Sequence, residues 1–169
     1  MGLGPEPTFD ENFLKALHRH LFQDVFEWAG HFRNEEFKLS DGTIAHAPAM
    51  RKMGSAHGFA IGNQISLELN ALMTQLKGND YLKHCDRIEF ASAAAHFFAR
   101  LNWIHPFREG NGRTQREFMT GLAAEAGHKI DFSVISAERM TVVSIAANEG
   151  SDMGAILIAG CDLEAGRLA

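Results

Sequence analysis

His105-Pro106-Phe107-Arg108-Glu109-Gly110-Asn111-Gly112-Arg113-Thr114-Gln115-Arg116 places a base, an acid, a glycine-flanked turn and two arginines in one short loop between helices. The preceding helix has to end near His105, because the residue before a proline is pushed out of the α region. The next helix is expected to begin at about Gly112. Gly110 and Gly112 allow the backbone to approach a ligand closely, and the unpaired N–H groups of the new helix point at whatever lies there. An anion is the natural occupant. Arg113 and Arg116 are three apart, so their side chains share a face of the first turn. Both oppose the helix dipole, a cost of a few tenths to about 1 kcal/mol each, which implies a function that outweighs it.

The remaining residues of the stretch supply chemistry. Glu109 is a hard anionic donor beside the anion nest and suits a Mg²⁺ that bridges phosphates. His105 has the character of a general base for a hydroxyl nucleophile. Phe107, apolar and between them, is expected to anchor the loop in the core.

This stretch resembles the Fic-domain signature, His-x-Phe-x-(Asp or Glu)-Gly-Asn-(Gly or Lys)-Arg-x-x-Arg, and matches it at every defined position. A second region, His18-Arg19-His20-Leu21-Phe22-Gln23-Asp24-Val25-Phe26-Glu27-Trp28-Ala29-Gly30-His31-Phe32-Arg33, is similar to the N-terminal helix and Trp-Ala-Gly-x-x-Arg turn of the same family. Family-like sequence runs from about residue 8 to 150. The resemblance implies an adenylyltransferase that moves AMP from ATP to a Ser, Thr or Tyr hydroxyl of a target protein and releases pyrophosphate. It implies His105 as the base and Glu109 as the Mg²⁺ ligand. Gly110, Asn111 and Gly112 would form the anion hole, with Arg113 on the β- and γ-phosphates and Arg116 on the γ-phosphate. Doc-like members, which phosphorylate instead, carry Lys at the position of Gly112 and lack the second arginine. Gly112 and Arg116 therefore favour AMP transfer over that alternative. A non-catalytic nucleotide-binding module is the other reading, and it would have no need of His105.

The chain has 169 residues, enough for one domain with a sizeable core, and one domain over residues 1–169 is expected. Its net charge of −5 gives no electrostatic case for nucleic-acid binding or for an anionic membrane surface. The apolar stretches are too short for a membrane span, and the N-terminus lacks the basic and apolar regions of a signal peptide. The two cysteines, Cys85 and Cys161, lie far apart with no CxxC pairing and read as reduced thiols.

Apolar periodicity predicts a mainly α-helical fold. The first helix follows a Thr8 or Asp10 cap, carries Phe13, Leu14, Leu17 and Leu21, and closes near Gly30. A second carries Ile61, Ile65, Leu69, Leu72 and Leu76 to Gly78. A third, capped by Asp86, carries Ile88, Ala91, Ala95, Phe98 and Leu101. The helix after the loop turns Phe118, Leu122 and Ala126 to the core and stops at Gly127. Two more run from Ser136 to about Asn148 and from Ser151 or Asp152 to about Ala165. Residues 36–47 are the exception, because Asp41-Gly42 between apolar-containing runs signals a hairpin. In the family such a hairpin is a flap over the active site on which a target segment docks, making Lys38 and Leu39 candidate nucleotide- or target-facing residues. Trp28 is expected as a core plug, and the histidines other than His105 as structural or exposed residues.

Many Fic enzymes carry an inhibitory helix, (Ser or Thr)-x-x-x-Glu-(Gly or Asn). Ser144 to Glu149-Gly150 is the nearest stretch, with one residue too many. The resemblance then implies inhibition in trans by a small antitoxin-like protein. It also implies a location in the bacterial cytoplasm, or in a host cell for a translocated effector.

Overall fold

The computed structural model describes residues 4–51 and 58–134. The two helices expected after Ser136, the near-inhibitory stretch at Glu149 and Cys161 lie outside the described residues. Within them the chain forms α1 (Glu11–Phe22), β1 (Phe37–Lys38), β2 (Ile44–Ala45), α2 (Gln64–Gly78), α3 (Arg87–Ile104) and α4 (Asn111–Glu125), with short 3₁₀ turns at Asp80–Leu82 and Phe132–Val134. This is the all-α architecture with a small antiparallel hairpin. None of these helices is long and apolar enough to cross a membrane.

Helix α3 lies between α2 and α4, and α1 packs on α4. The central place falls to α3 because Ala91, Ala94 and Ala95 are buried and small, which lets neighbouring helices approach closely. Phe97 and Phe118 stack where α3 meets α4, and Phe13 of α1 meets Phe118 at 5.6 Å. The caps follow the residues that predict them. The Asp10 carboxylate accepts the Phe13 N–H at 2.8 Å. Asp86 and Glu89 form a reciprocal capping box. At the end of α4, Gly127 N–H donates to the Ala124 carbonyl and His128 N–H to that of Ala123, the paired bonds of a Schellman stop.

Several expectations need correction. The first helix ends at Phe22, eight residues before Gly30. Single turns follow, with Phe26 and Trp28 stacked at 4.5 Å, and the chain doubles back. Gly30 does not stop the helix but lies against its side: a Cβ there would stand 3.1 Å from Arg19 Cβ and 3.2 Å from the Lys15 carbonyl. Phe22 takes the core position expected for Leu21, which sits at the rim. The second helix starts at Gln64 and leaves Ile61 exposed outside it, because residues 58–62 are pinned elsewhere: Ala60 N–H to the Trp103 carbonyl, Gly62 N–H to that of Pro48. Ile88, assigned to the core face of α3, is 75% exposed, and Phe90 two residues on is the buried side chain of that first turn, stacked on His128. Trp28 is half-buried, covering the site loop instead of filling the core.

The hairpin pairs Phe37 with Ala45 and Lys38 with Ile44. Its turn is the three-residue loop Ser40–Gly42, closed by Leu39 N–H to the Thr43 carbonyl and Gly42 N–H to the Leu39 carbonyl. Glu27 steadies the tip by accepting both the Ser40 N–H and hydroxyl at 2.8 Å.

The segments around the site loop meet at Arg33, a fully buried side chain. Its Nε donates to the His105 carbonyl at 2.7 Å. Nη1 donates to the carbonyls of Ala47 and Pro48 at 3.0 and 2.8 Å, and Nη2 to those of Ala60 and Ile104. Its main chain joins in, N–H to the Pro106 carbonyl and carbonyl from the Ala47 N–H, each 2.8 Å. Burial pulls the guanidinium down to about 10, so it stays charged at neutral pH. Arg33→Met, similar in length but without donors, should lower the free energy of unfolding by more than about 3 kcal/mol, since each buried carbonyl left unpaired costs about 1–3 kcal/mol. Denaturant unfolding measures this, and a loss under about 1 kcal/mol would mean the carbonyls find other donors.

Candidate active site

Helix α3 ends at His105 in the left-handed conformation, φ 50° and ψ 60°. Pro106 does exclude the α region as expected, but the outcome is a left-handed cap and not an extended residue. Two bonds hold it there: His105 N–H to the Leu101 carbonyl at 3.1 Å and the His105 carbonyl to Arg33. The half-buried imidazole lies on the Phe59 ring at 3.8 Å between centroids and 5° between planes, which sets the plane of the ring. Gln115 reaches back from α4 and donates to the same Leu101 carbonyl at 3.3 Å, tying the two ends of the loop together.

Phe107 is buried, as expected of an anchor, and Asn111 fastens its backbone from both sides. The Asn111 Oδ1 accepts the Phe107 N–H at 2.9 Å and its Nδ2 donates to the Phe107 carbonyl at 2.7 Å. The Asn111 side chain is thus committed to loop closure, and what it can offer a ligand is its main-chain N–H. Helix α4 begins its ladder with Thr114 N–H to the Gly110 carbonyl at 3.1 Å, which the buried Thr114 hydroxyl duplicates. The N–H groups of Asn111, Gly112 and Arg113 precede that first bond and form the helix N-terminus.

The two glycines differ in kind. Gly110 has φ +80°, and a Cβ on it would stand 2.5 Å from the Phe22 ring. Gly112 has ordinary backbone geometry and nothing within 4 Å of where a Cβ would be. Gly110 is therefore required by the packing of α1, whereas Gly112 leaves open space where a ligand would come. Phe22 also carries Arg113, whose guanidinium lies 4.4 Å from the ring centroid, within cation–π range. Arg108 lies over Trp28 at 5.7 Å. Arg113 is exposed and Arg116 half-buried, on the same turn as expected.

Glu109 is exposed, and its Oε1 accepts the N–H of Gly110 at 3.2 Å. A carboxylate oxygen already rests on the first N–H of the helix end. Among the described residues no group of three or more His, Cys, Asp or Glu side chains could hold a metal ion. A cation here would have one protein carboxylate and take its other oxygens from phosphates and water, which is how Mg²⁺ is commonly held. Lys38 is exposed and Leu39 half-buried on the hairpin, which reaches the loop through the Arg33 bonds to Ala47 and Pro48.

The site thus gathers His105, Glu109, Gly110, Asn111, Gly112, Arg113 and Arg116 in the loop and the first turn of α4. A family model described as the Fic/DOC family matches residues 8–123. The chain belongs to the Fic/DOC family. This Fic chain is 46% identical over 145 residues to a protein adenylyltransferase of Bartonella henselae, covering 86% of the chain and 27% of that protein's length. It is 37% identical over 147 residues to the probable protein adenylyltransferase y4lH of Sinorhizobium fredii, covering 86% of the chain and 69% of the relative. The fold matches the crystal structure of BepC, a VirB-translocated effector protein of Bartonella tribocorum with bound AMPPNP, at a TM-score of 0.89 and 43% identity. That match covers 94% of this chain and 77% of BepC.

Sequence reasoning assigned no site role to His18, Phe22, Phe59, Thr114 or Gln115. His18 is fully buried, with Nε2 3.0 Å from the Glu109 carbonyl and Nδ1 accepting the Gly30 N–H at 2.9 Å. Thr114 acts within its own turn, on the Gly110 carbonyl, while the others act across contacts between segments that the chain order separates, so no local pattern marks them.

The glycine contrast predicts opposite stabilities. Gly110→Ala should cost about 1–3 kcal/mol through overlap with Phe22 and the left-handed backbone. Gly112→Ala should be neutral or stabilising by up to about 1 kcal/mol, as alanine replaces glycine in a helix. Urea melts of the two would separate them, and equal losses would contradict the division.

His18 makes the fold sensitive to acid. Burial, with Arg113 adding to it and the Glu109 bond opposing it, pushes its imidazole below the ordinary 6.5. The unfolded chain then binds the proton more readily, so His18 contributes stability that is present above about pH 6.5 and is lost as pH falls toward the lower folded value. Melting temperature should drop below pH 6.5 more in the wild type than in His18→Gln, and parallel profiles would exclude His18 as the cause.

Proposed function

We propose that this Fic protein is a protein adenylyltransferase that transfers AMP from ATP to a hydroxyl of a target protein. The observation that carries the reading is the helix end itself: Gly110 N–H already donates to a carboxylate oxygen, with His105, Arg113 and Arg116 in the same loop and first helical turn. The adenylyltransferase names of the relatives and the AMPPNP bound to BepC support it.

In this reading the triphosphate lies along the N-terminus of α4, with the main-chain N–H groups of Gly110, Asn111 and Gly112 as its cradle. Arg113 holds the β- and γ-phosphates and Arg116 the γ-phosphate. Glu109 would be the residue to hold Mg²⁺, which would supply positive charge to the triphosphate. His105, its ring set on Phe59, takes the proton of the target hydroxyl. The hydroxyl oxygen bonds to Pα as the bond from Pα to the bridging oxygen breaks, and pyrophosphate leaves with that electron pair. The target segment docks on the hairpin, where Lys38 and Leu39 stand at the strand edge.

Incubation with Mg²⁺, ATP and a cell lysate, read by intact mass and peptide mapping, tests this. A gain of about 329 Da on a protein hydroxyl, absent with His105→Ala, is the expected result, while a gain of about 80 Da would mean phosphoryl transfer instead. Mg²⁺-dependent ATP binding with no His105-dependent adduct on any protein would favour a binding module.

A further inference from the structure

The peptide between Glu109 and Gly110 is held at one end by a side chain 91 residues away in sequence. His18, on α1, bonds at both ring nitrogens. A backbone N–H can only donate, so the Gly30 N–H makes Nδ1 the acceptor, and the proton resides on Nε2, which donates to the Glu109 carbonyl at 3.0 Å. The ring is also stacked on Phe107 at 3.9 Å and 20°, leaving it no freedom to turn. A trans peptide is planar, with its carbonyl and its N–H pointing in opposite directions. Drawing the Glu109 oxygen inward to His18 therefore turns the Gly110 N–H outward. That N–H meets the exposed Glu109 carboxylate at 3.2 Å.

We propose that His18 is the positioning residue of the anion loop: by holding the Glu109 carbonyl it fixes the peptide plane that aims the Gly110 N–H at a bound phosphate. The inference rests on the reading of this loop as the triphosphate site. His18 touches no reacting atom. Its contribution is to prevent the one peptide flip that would present a carbonyl oxygen, instead of an N–H, to an anion. Phe22 complements it, since its ring excludes any side chain at position 110 that could compete for the same space.

Two variants divide the ring between its two bonds. Gln at position 18 places an amide donor near Nε2 and keeps the Glu109 bond. Asn places a carbonyl near Nδ1, keeping the Gly30 bond, but falls short of Glu109. In the full chain, His18→Gln should bind MgATP within about twofold of wild type, whereas His18→Asn should bind about tenfold more weakly, the effect of one lost hydrogen bond. The two should melt at similar temperatures. In the transfer reaction the Asn variant should raise the KM for ATP more than it lowers kcat. Equal affinities in all three proteins, or affinity losses that simply follow melting temperature, would overturn the proposal. ¹⁵N-glycine NMR without nucleotide separates this idea from the functional reading. The Gly110 amide resonance should move in His18→Asn and stay in His18→Gln. Should wild type fail to bind MgATP, the triphosphate reading falls, and an unmoved Gly110 resonance in His18→Asn would then overturn the role of His18 on its own.

Discussion

A single buried guanidinium, with no carboxylate beside it among the described residues, organises this fold. Arg33 satisfies the carbonyls of Ala47 and Pro48 below the hairpin, of Ala60 before α2, and of Ile104 and His105 at the end of α3. Carbonyls at a helix end and in irregular segments have no ladder to join, and burying them unpaired is costly. A planar group with five donors in a fixed fork can pair them all at once, and lysine cannot. Desolvation of the charge is offset by oxygen dipoles from every side. His105, the proposed base, sits beside this hub, so its backbone geometry depends on a fully buried residue.

The loop that follows is preorganised by neutral contacts, and its charges are left outward. Asn111 closes the backbone on Phe107, His18 stacks on Phe107, and Thr114 and Gln115 tie α4 back to the loop and to α3. Arg113 stays exposed on the face of Phe22, charged and held, among the described residues, without an ion-pair partner that a phosphate would need to displace. This division is suited to anion binding, since donors held rigid before the ligand arrives need no reorganisation when it does.

Glu109 combines a fixed main chain with an exposed carboxylate. Its main chain is fixed through His18, while its carboxylate rests on the Gly110 N–H in the position of an anion. A phosphate bound as proposed would compete with this side chain for one donor. In the proposed reading, a cation that drew the carboxylate away would free that donor for the ligand it accompanies, and metal and nucleotide binding would be coupled at a single residue.

How much of this was legible in the sequence depended on distance along the chain. The helical class, the Asp10, Asp86 and Gly127 boundaries, the hairpin at residues 36–47 and the cluster from His105 to Arg116 could all be read, because caps, turn residues and a contiguous loop act within a few residues of themselves. The end of α1 could not, since its periodicity continued while the chain folded back on its own helix. Nor could Gly30, whose use is to lie against Lys15 and Arg19. Ile88 and Leu21 had the right spacing and the wrong surroundings. The residues that aim the chemistry, His18, Arg33, Phe22 and Phe59, come from elements that only tertiary packing brings to the loop. Sequence by itself determined which groups could do chemistry, since that is a property of residue type and local spacing. The tertiary structure alone decided which of them are held still and which way they point, because those constraints are made by contacts between segments the chain order keeps apart.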